Sequence, residues 1–314
     1  MKTFKEFSVI YLSSLVVVSF FFGAMYVITP DVFADTASTS VTVTNATPAV
    51  TNVVLNGAGA ITLTENTTTS VTITATISDG NGCADVFSSG TIVATVYRTG
   101  VSGTSSCSAS DINCYRSITM ANAGGDTCTG GVDTTADASA TVPIWYFADP
   151  TDASSTFAAQ WWVASVLAND FSNASSSATS STAVDINSLY ALNVTAAISY
   201  GSVAPGADTG ATNQTATTTN TGNAKVDIEF SGTDMTGAGT LAATQQKYGT
   251  SSATYASLGN TLSNSATARD INLGQGLSSS TPSTSSTFWG LAVPNGQTLG
   301  AYSGTNTFTA IYTP

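Results

Sequence analysis

Alternation with a period of two runs through most of the chain after residue 34. Residues 70–77 place Val71, Ile73, Ala75 and Ile77 on one side and Thr72, Thr74 and Thr76 on the other. That is the pattern of a strand with one face in a core and the other in water. Similar runs at 50–55, 91–97, 138–147, 160–167 and 179–186 predict further strands. Turn formers separate them: Asp79-Gly80-Asn81-Gly82, Gly124-Gly125, Asp149-Pro150 and Asn169-Asp170. A second series starts near Leu189, with its clearest runs at 192–194, 214–220, 225–231, 287–293 and 305–312. Between these lie Pro205-Gly206, Gly222-Asn223 and Asn295-Gly296. After residue 34 no stretch keeps a helical period over three turns, so the pattern predicts an all-β protein.

The number and spacing of these strands suit two tandem immunoglobulin-like antiparallel β-sandwiches of ordinary domain size. The expected division is 45–187 for the first, with a Cys-rich insertion at 98–131, and 188–314 for the second. The join at 185–189 has no Pro- or Gly-rich linker, so little swing is expected between them. Residues 35–44 read as an exposed N-terminal segment.

Ahead of all this, Lys2 and Lys5 precede an apolar run from Phe7 to Ile28, followed by Val32-Phe33-Ala34. A basic start, an apolar stretch and small residues at −3 and −1 of a cut predict a signal peptide over 1–34. The apolar run is longer than an ordinary signal core, so the alternative is an uncleaved membrane anchor spanning 7–28 with the N-terminus in the cytoplasm. Either way the chain is expected outside the cell, at its surface.

Charge narrows the function. Charged residues are 8% of the chain and histidine is absent, against roughly 25% charged in an average domain. Residues 35–187 carry 12 acidic and 2 basic side chains, and residues 188–314 carry 5 and 3. Nucleic acid and anionic lipid surfaces need Lys and Arg, so both are poor partners. Without histidine, Ser-His-Asp and Cys-His catalysis and His-ligated metals are excluded. Paired-carboxylate hydrolysis usually employs Glu, and only Glu65 and Glu229 remain after residue 34. The chain reads as non-enzymatic.

The four cysteines, Cys83, Cys107, Cys114 and Cys128, lie in the first half with 23, 6 and 13 residues between them. An even count in an exported chain predicts two disulfides out of three possible pairings. The spacings lack the C-x-x-C knuckles of a zinc site. Closing the short 107–114 loop costs least chain entropy, which selects Cys107–Cys114 and leaves Cys83–Cys128.

Two further groups are candidates for binding. Asp79, Asn81 and Asp85 share one turn, Asp149 and Asp152 another, and Asp170 starts a third. Oxygen ligands gathered in loops suit Ca²⁺, while the same residues are also ordinary turn formers. Trp145, Trp161, Trp162 and Trp289 are the residues that could stack on sugars. Trp161 and Trp162 are adjacent in a strand, so they face opposite ways and one should enter the core. Sequons at Asn45, Asn66, Asn173, Asn193 and Asn213 are what so Asn- and Thr-rich a chain produces by chance.

The run S-D-G-N-G-C-A-D-V at 78–86, V-Y-R-T-G-V at 96–101, D-I-N-C-Y at 111–115 and Y-F-A-D-P-T-D at 146–152 resembles exported cell-surface proteins of uncultured small-genome bacteria. So do S-Y-G-S-V-A-P-G-A at 199–207, T-N-T-G-N at 219–223, F-W-G-L-A-V-P-N-G at 288–296 and G-A-Y-S-G-T-N-T-F at 300–308. The resemblance covers most of the chain after residue 34. It implies immunoglobulin-like domains at the cell surface and carries over no catalytic residue. The combined expectation is a structural or adhesive envelope protein whose partners are other surface proteins, glycans or further copies of itself. The alternative is an extracellular carbohydrate- or polymer-binding module.

Overall fold

The computed structural model describes residues 36–129, 132–195 and 197–312. The signal or anchor segment expected at 1–34 lies outside the described residues. Among the described residues no helix is long and apolar enough to cross a membrane. The chain divides into two units, Met1–Thr44 and Asn45–Pro314. Residues 36–44 are exposed and form no regular secondary structure. The described residues are 43% strand and 6% helix, and the second unit is built of antiparallel sheets around two main cores, with a small third cluster of Tyr97, Cys107, Cys114 and Val163.

The first lobe contains β1 (Ala49–Leu55), β2 (Thr68–Ser78), β3 (Thr91–Arg98), β4 (Cys114–Thr119), β5 (Ala121–Asn122), β6 (Thr135–Trp145), β7 (Trp162–Asn169) and β8 (Ser175–Thr179). They form two four-stranded sheets, β1-β2-β6-β5 and β4-β3-β7-β8. Alternation explains their pairing. Val71, Ile73, Ala75 and Ile77 of β2 join Ala138, Val142 and Ile144 of β6 on one inner face. Ile92, Ala94 and Val96 of β3 join Trp162, Ala164, Val166 and Ala168 of β7 on the other. All belong to one cluster of buried side chains, each large one worth roughly 1.5–3 kcal/mol of transfer free energy.

The Cys-rich span is less of an excursion than an insertion would be, because it supplies β4 and β5, one edge strand to each sheet. The run at 179–186 also differs from its expected strand. β8 ends at Thr179, and beyond it only isolated bridges remain, Val184 with Trp162 and Ile186 with Ile61. The Ser180 hydroxyl accepts the Ala164 N–H at 3.1 Å, so a side chain takes over the ladder there and continuous pairing stops.

The second lobe contains β9 (Leu192–Val194), β10 (Gln214–Asn220), β11 (Val226–Gly232), β12 (Met235–Gly237), β13 (Thr240–Leu241), β14 (Gln246–Gly249), β15 (Asn260–Thr261), β16 (Thr267–Leu273), β17 (Thr284–Leu291), β18 (Tyr302–Ser303) and β19 (Asn306–Tyr312). A five-stranded sheet, β15-β14-β17-β10-β9, and a three-stranded sheet, β16-β11-β19, share one core. A small three-stranded sheet, β13-β12-β18, completes the second lobe. Phe230 anchors the core, with ring centroids 4.7 Å from Tyr248, 6.0 Å from Trp289 and 5.0 Å from Phe308.

Buried amides brace the chain at and just after the join between the lobes. Asn223 accepts the Leu189 N–H at 2.7 Å and donates to the Asn187 carbonyl at 3.1 Å. Asn220 donates to the carbonyls of Ala224 and Gly274, and its own oxygen accepts the Gly222 N–H at 2.8 Å. Both asparagines are fully buried. A Cβ at Gly222 would collide with the Leu189 carbonyl oxygen, so only glycine lets the two backbones approach this closely. Asn66 N–H to Thr221 carbonyl (3.1 Å) adds a backbone bond across the joint.

Candidate functional site

Asp79, Asp85 and Asp170 converge at one end of the first lobe. β2 ends at Ser78, and Asp79 follows at once, its N–H bonded to the Thr134 carbonyl at 2.8 Å. The Gly80-Asn81-Gly82 turn closes with Gly82 N–H on the Asp79 carbonyl at 3.1 Å and leads into a single helical turn, Ala84–Phe87, that carries Asp85. β7 ends at Asn169, and Asp170 opens the hairpin to β8, where its Oδ1 accepts the Ala174 N–H at 2.8 Å. One carboxylate oxygen from each aspartate lies within 4.8 Å of the others.

The electrostatics of this arrangement are unfavourable as it stands. Carboxylates this close repel one another when both are ionised. The ion pair among the described residues is Arg98–Asp149, so no Lys or Arg neutralises the cluster by direct contact. Asp79 and Asp170 are each 3% exposed. Asp79 Oδ1 accepts the Asn81 N–H at 2.7 Å, while its Oδ2 is buried and takes no hydrogen bond from any described residue. Asp170 Oδ2 accepts from the Asn45 side-chain amide at 2.7 Å. The Asn81 side-chain oxygen accepts the Ala46 N–H at 2.6 Å. The cluster thereby grips the first two residues of the compact unit.

The other acids singled out by sequence stand apart from this group. Asp149 pairs with Arg98 at 2.9 Å, both side chains nearly inaccessible. Asp149 also accepts from Gln275 of the second lobe at 2.9 Å. The Trp162 indole donates to the Asp149 carbonyl, which puts Asp149 at the opposite end of β7 from Asp170, roughly 25 Å of strand away. Asp152 accepts from the N–H and hydroxyl of both Ser188 and Ser154. Partial burial works against its ionisation, but these four bonds outweigh it and hold its carboxyl below the usual value. Arg98 and Gln275 carry the Asp149 contacts, and nothing in the local sequence around either marks them as its partners.

The disulfides join Cys83 to Cys128 and Cys107 to Cys114. Cys83 immediately precedes the helical turn that holds Asp85, so the longer disulfide fixes the base of the acidic turn. Of the tryptophans, Trp162 and Trp289 are fully buried and Trp145 stacks on Phe147 at 5.6 Å. Trp161 is 43% exposed. Phe171, also exposed, follows the far end of the same strand, so the two form no common sugar platform.

A separate cleft of about 600 Å³ lies in the second lobe, lined by Ile198, Tyr200, Leu241, Leu291, Val293 and Tyr302 among others. The Tyr200 hydroxyl donates to Gln246 Oε1 at 2.9 Å, and burial raises its pKa. No protein-family model and no curated protein matches the chain.

Proposed function

We propose that this chain is an exported, non-enzymatic protein of the cell surface with a structural or adhesive role, built of tandem immunoglobulin-like sandwiches. The observation that carries the reading is the two disulfides within one β framework, with Cys83, Cys107 and Cys114 nearly or fully inaccessible. Such bonds persist in oxidising compartments outside the cytoplasm. The fully buried Asn220 and Asn223 beside the join add to it, since a structural module gains from a braced connection.

Strand order supports the immunoglobulin-like part. β1-β2-β6-β5 and β4-β3-β7-β8 correspond to the A-B-E-D and C-F-G arrangement of such sandwiches, with β4 as an added edge. The first lobe departs from antibody domains in two ways: its buried Trp162 sits on β7, the sixth strand position of that scheme, and neither disulfide bridges the two sheets. The resemblance to exported proteins of small-genome bacteria belongs to this same reading. Partners would be other surface proteins, glycans or further copies. A membrane-impermeant protease applied to intact producing cells tests it. Peptides from both lobes should be released while a cytoplasmic marker stays intact; release only after lysis would overturn the reading.

The cleft favours a second reading, binding of a carbohydrate or other polymer. Its volume is in the range of small-ligand sites, and Tyr200 and Tyr302 offer ring faces with polar tips. A glycan array would support it by a hit that Tyr302→Ala abolishes, and an array without hits would retire it.

A further inference from the structure

Of the six residues that sequence offered as calcium ligands, the fold gathers three and commits the others elsewhere. We propose that Asp79, Asp85 and Asp170 bind one calcium ion, and that the ion locks Asn45 and Ala46 onto that end of the first lobe. The inference rests on two independent observations. One is geometric: three carboxylate oxygens lie within 4.8 Å of each other. Calcium holds its ligands at about 2.3–2.6 Å, so ligands on opposite sides of it stand up to about 5 Å apart. Magnesium demands a near-ideal octahedron at about 2.0–2.1 Å and keeps most of its water, so a loop-built site that offers three carboxylates and leaves room for further oxygen ligands suits calcium better.

The other observation is Asp79 itself. It is 97% buried by the complement of its 3% exposure, and its Oδ2 has no hydrogen-bond donor among the described residues. A buried carboxylate oxygen with no donor is costly unless a cation faces it. Asp85 likewise receives no hydrogen bond from a described residue, and it is only half-buried, which leaves a side for water to complete the six to eight ligands calcium takes. The donor set is all oxygen, so softer metals that prefer nitrogen or sulfur gain nothing here.

The consequence reaches the start of the compact unit. Asp170 holds the Asn45 side chain and the Asp79 turn presents Asn81 to the Ala46 N–H. With calcium present the three acids stop repelling one another, and the turn and hairpin that hold residues 45–46 are fixed relative to each other. Without it, repulsion loosens both. The ion is thus a clasp at the point where the compact unit begins.

The test uses the full chain with its disulfides formed, in a mild detergent, and calcium alone as the ligand. Titration calorimetry should give saturable binding of one ion per chain. The melting midpoint should rise by roughly 5 °C or more from EDTA to millimolar CaCl₂. Asp85→Asn makes no hydrogen bond to lose, so it keeps the fold and should weaken binding at least ~10-fold. Glu65→Gln removes the same charge from an exposed site and should leave binding unchanged. Amide exchange at Ala46 should slow when calcium is added. An unchanged midpoint with no binding heat, equal effects of Asp85→Asn and Glu65→Gln, or an equal response to MgCl₂ would each overturn the proposal.

Discussion

The two lobes solve the same packing problem with different materials. The first fills its core with many Val, Ile and Ala side chains and holds its long loops with two disulfides. The second has a short set of fully buried core residues, and Phe230, Tyr248 and Trp289 supply most of its bulk, with the ring of Phe308 packed against them. The difference follows from sequence. Residues 70–77 alternate over four β-branched or small inward positions, whereas the second half distributes its apolar residues over short strands. Where few positions point inward, each must be large. Where loops are long and polar, a covalent tie replaces missing core.

That contrast can be broken in order of expected effect. Trp289→Ala should cost about 3–5 kcal/mol, because it empties the centre of the aromatic group. Trp161→Ala, at a site 43% exposed, should stay within about 0.5 kcal/mol. Urea unfolding of both variants checks this, and equal midpoints would mean the second core does not depend on its rings.

Next come the staples. On the loop-entropy model, the 45-residue separation of Cys83–Cys128 is worth about 4 kcal/mol, and the 7-residue separation of Cys107–Cys114 about 2 kcal/mol. Paired Cys→Ser variants measured without reductant should follow that order. The reverse order would show that native-state packing around Cys107 and Cys114 outweighs chain entropy.

The joint sharpens the comparison by testing whether the lobes act together. Gly222→Ala should cost about 1–3 kcal/mol through the collision with the Leu189 carbonyl. Limited proteolysis should then cut near residues 187–190 sooner than in the parent chain. A variant as stable and as resistant as the parent would mean that the backbones need not approach there.

The smallest effect is electrostatic. Asp152 has its carboxyl pKa lowered in the fold, so the folded state binds fewer protons there than the unfolded one. Its contribution is present above the ordinary carboxylate value near 3.8 and is lost as pH falls below it. The group is only half-buried and solvent screens it, so the slope of stability against pH below about 4 should be shallow. Asp152→Asn should flatten it, and an identical slope would mean that the charge of Asp152, in the β6–β7 loop, does not hold Ser188 of the β8–β9 connector.

Much of the strand framework could be read from alternation, because half-buried strands write their environment into every second residue. β2, β3, β7, β10 and β19 start and end within a few residues of their runs. The short strands β12 to β15 could not be read, since two to four residues cannot establish a period. β16 was hidden for another reason: T-A-R-D-I-N-L alternates weakly, and Asn272 at φ 52° breaks its register against β11. Of the acids, the sequence could group those that share a turn, as Asp79 and Asp85 do. It could not show that Asp170 arrives from the end of β7, because that depends on how β7 lies relative to β2. Nor could it show that Asp149 is taken by Arg98, since a charge pair across 51 residues leaves no local trace.

Our proposal is that the chain is exported, with its first lobe covalently stapled and its second without cysteines. Thiol alkylation of the chain in intact producing cells, followed by non-reducing peptide mapping, tests it most directly. The account predicts that none of the four cysteines reacts before reduction, and that Cys83 maps to Cys128 and Cys107 to Cys114. Alkylation of any of them without reductant would contradict it.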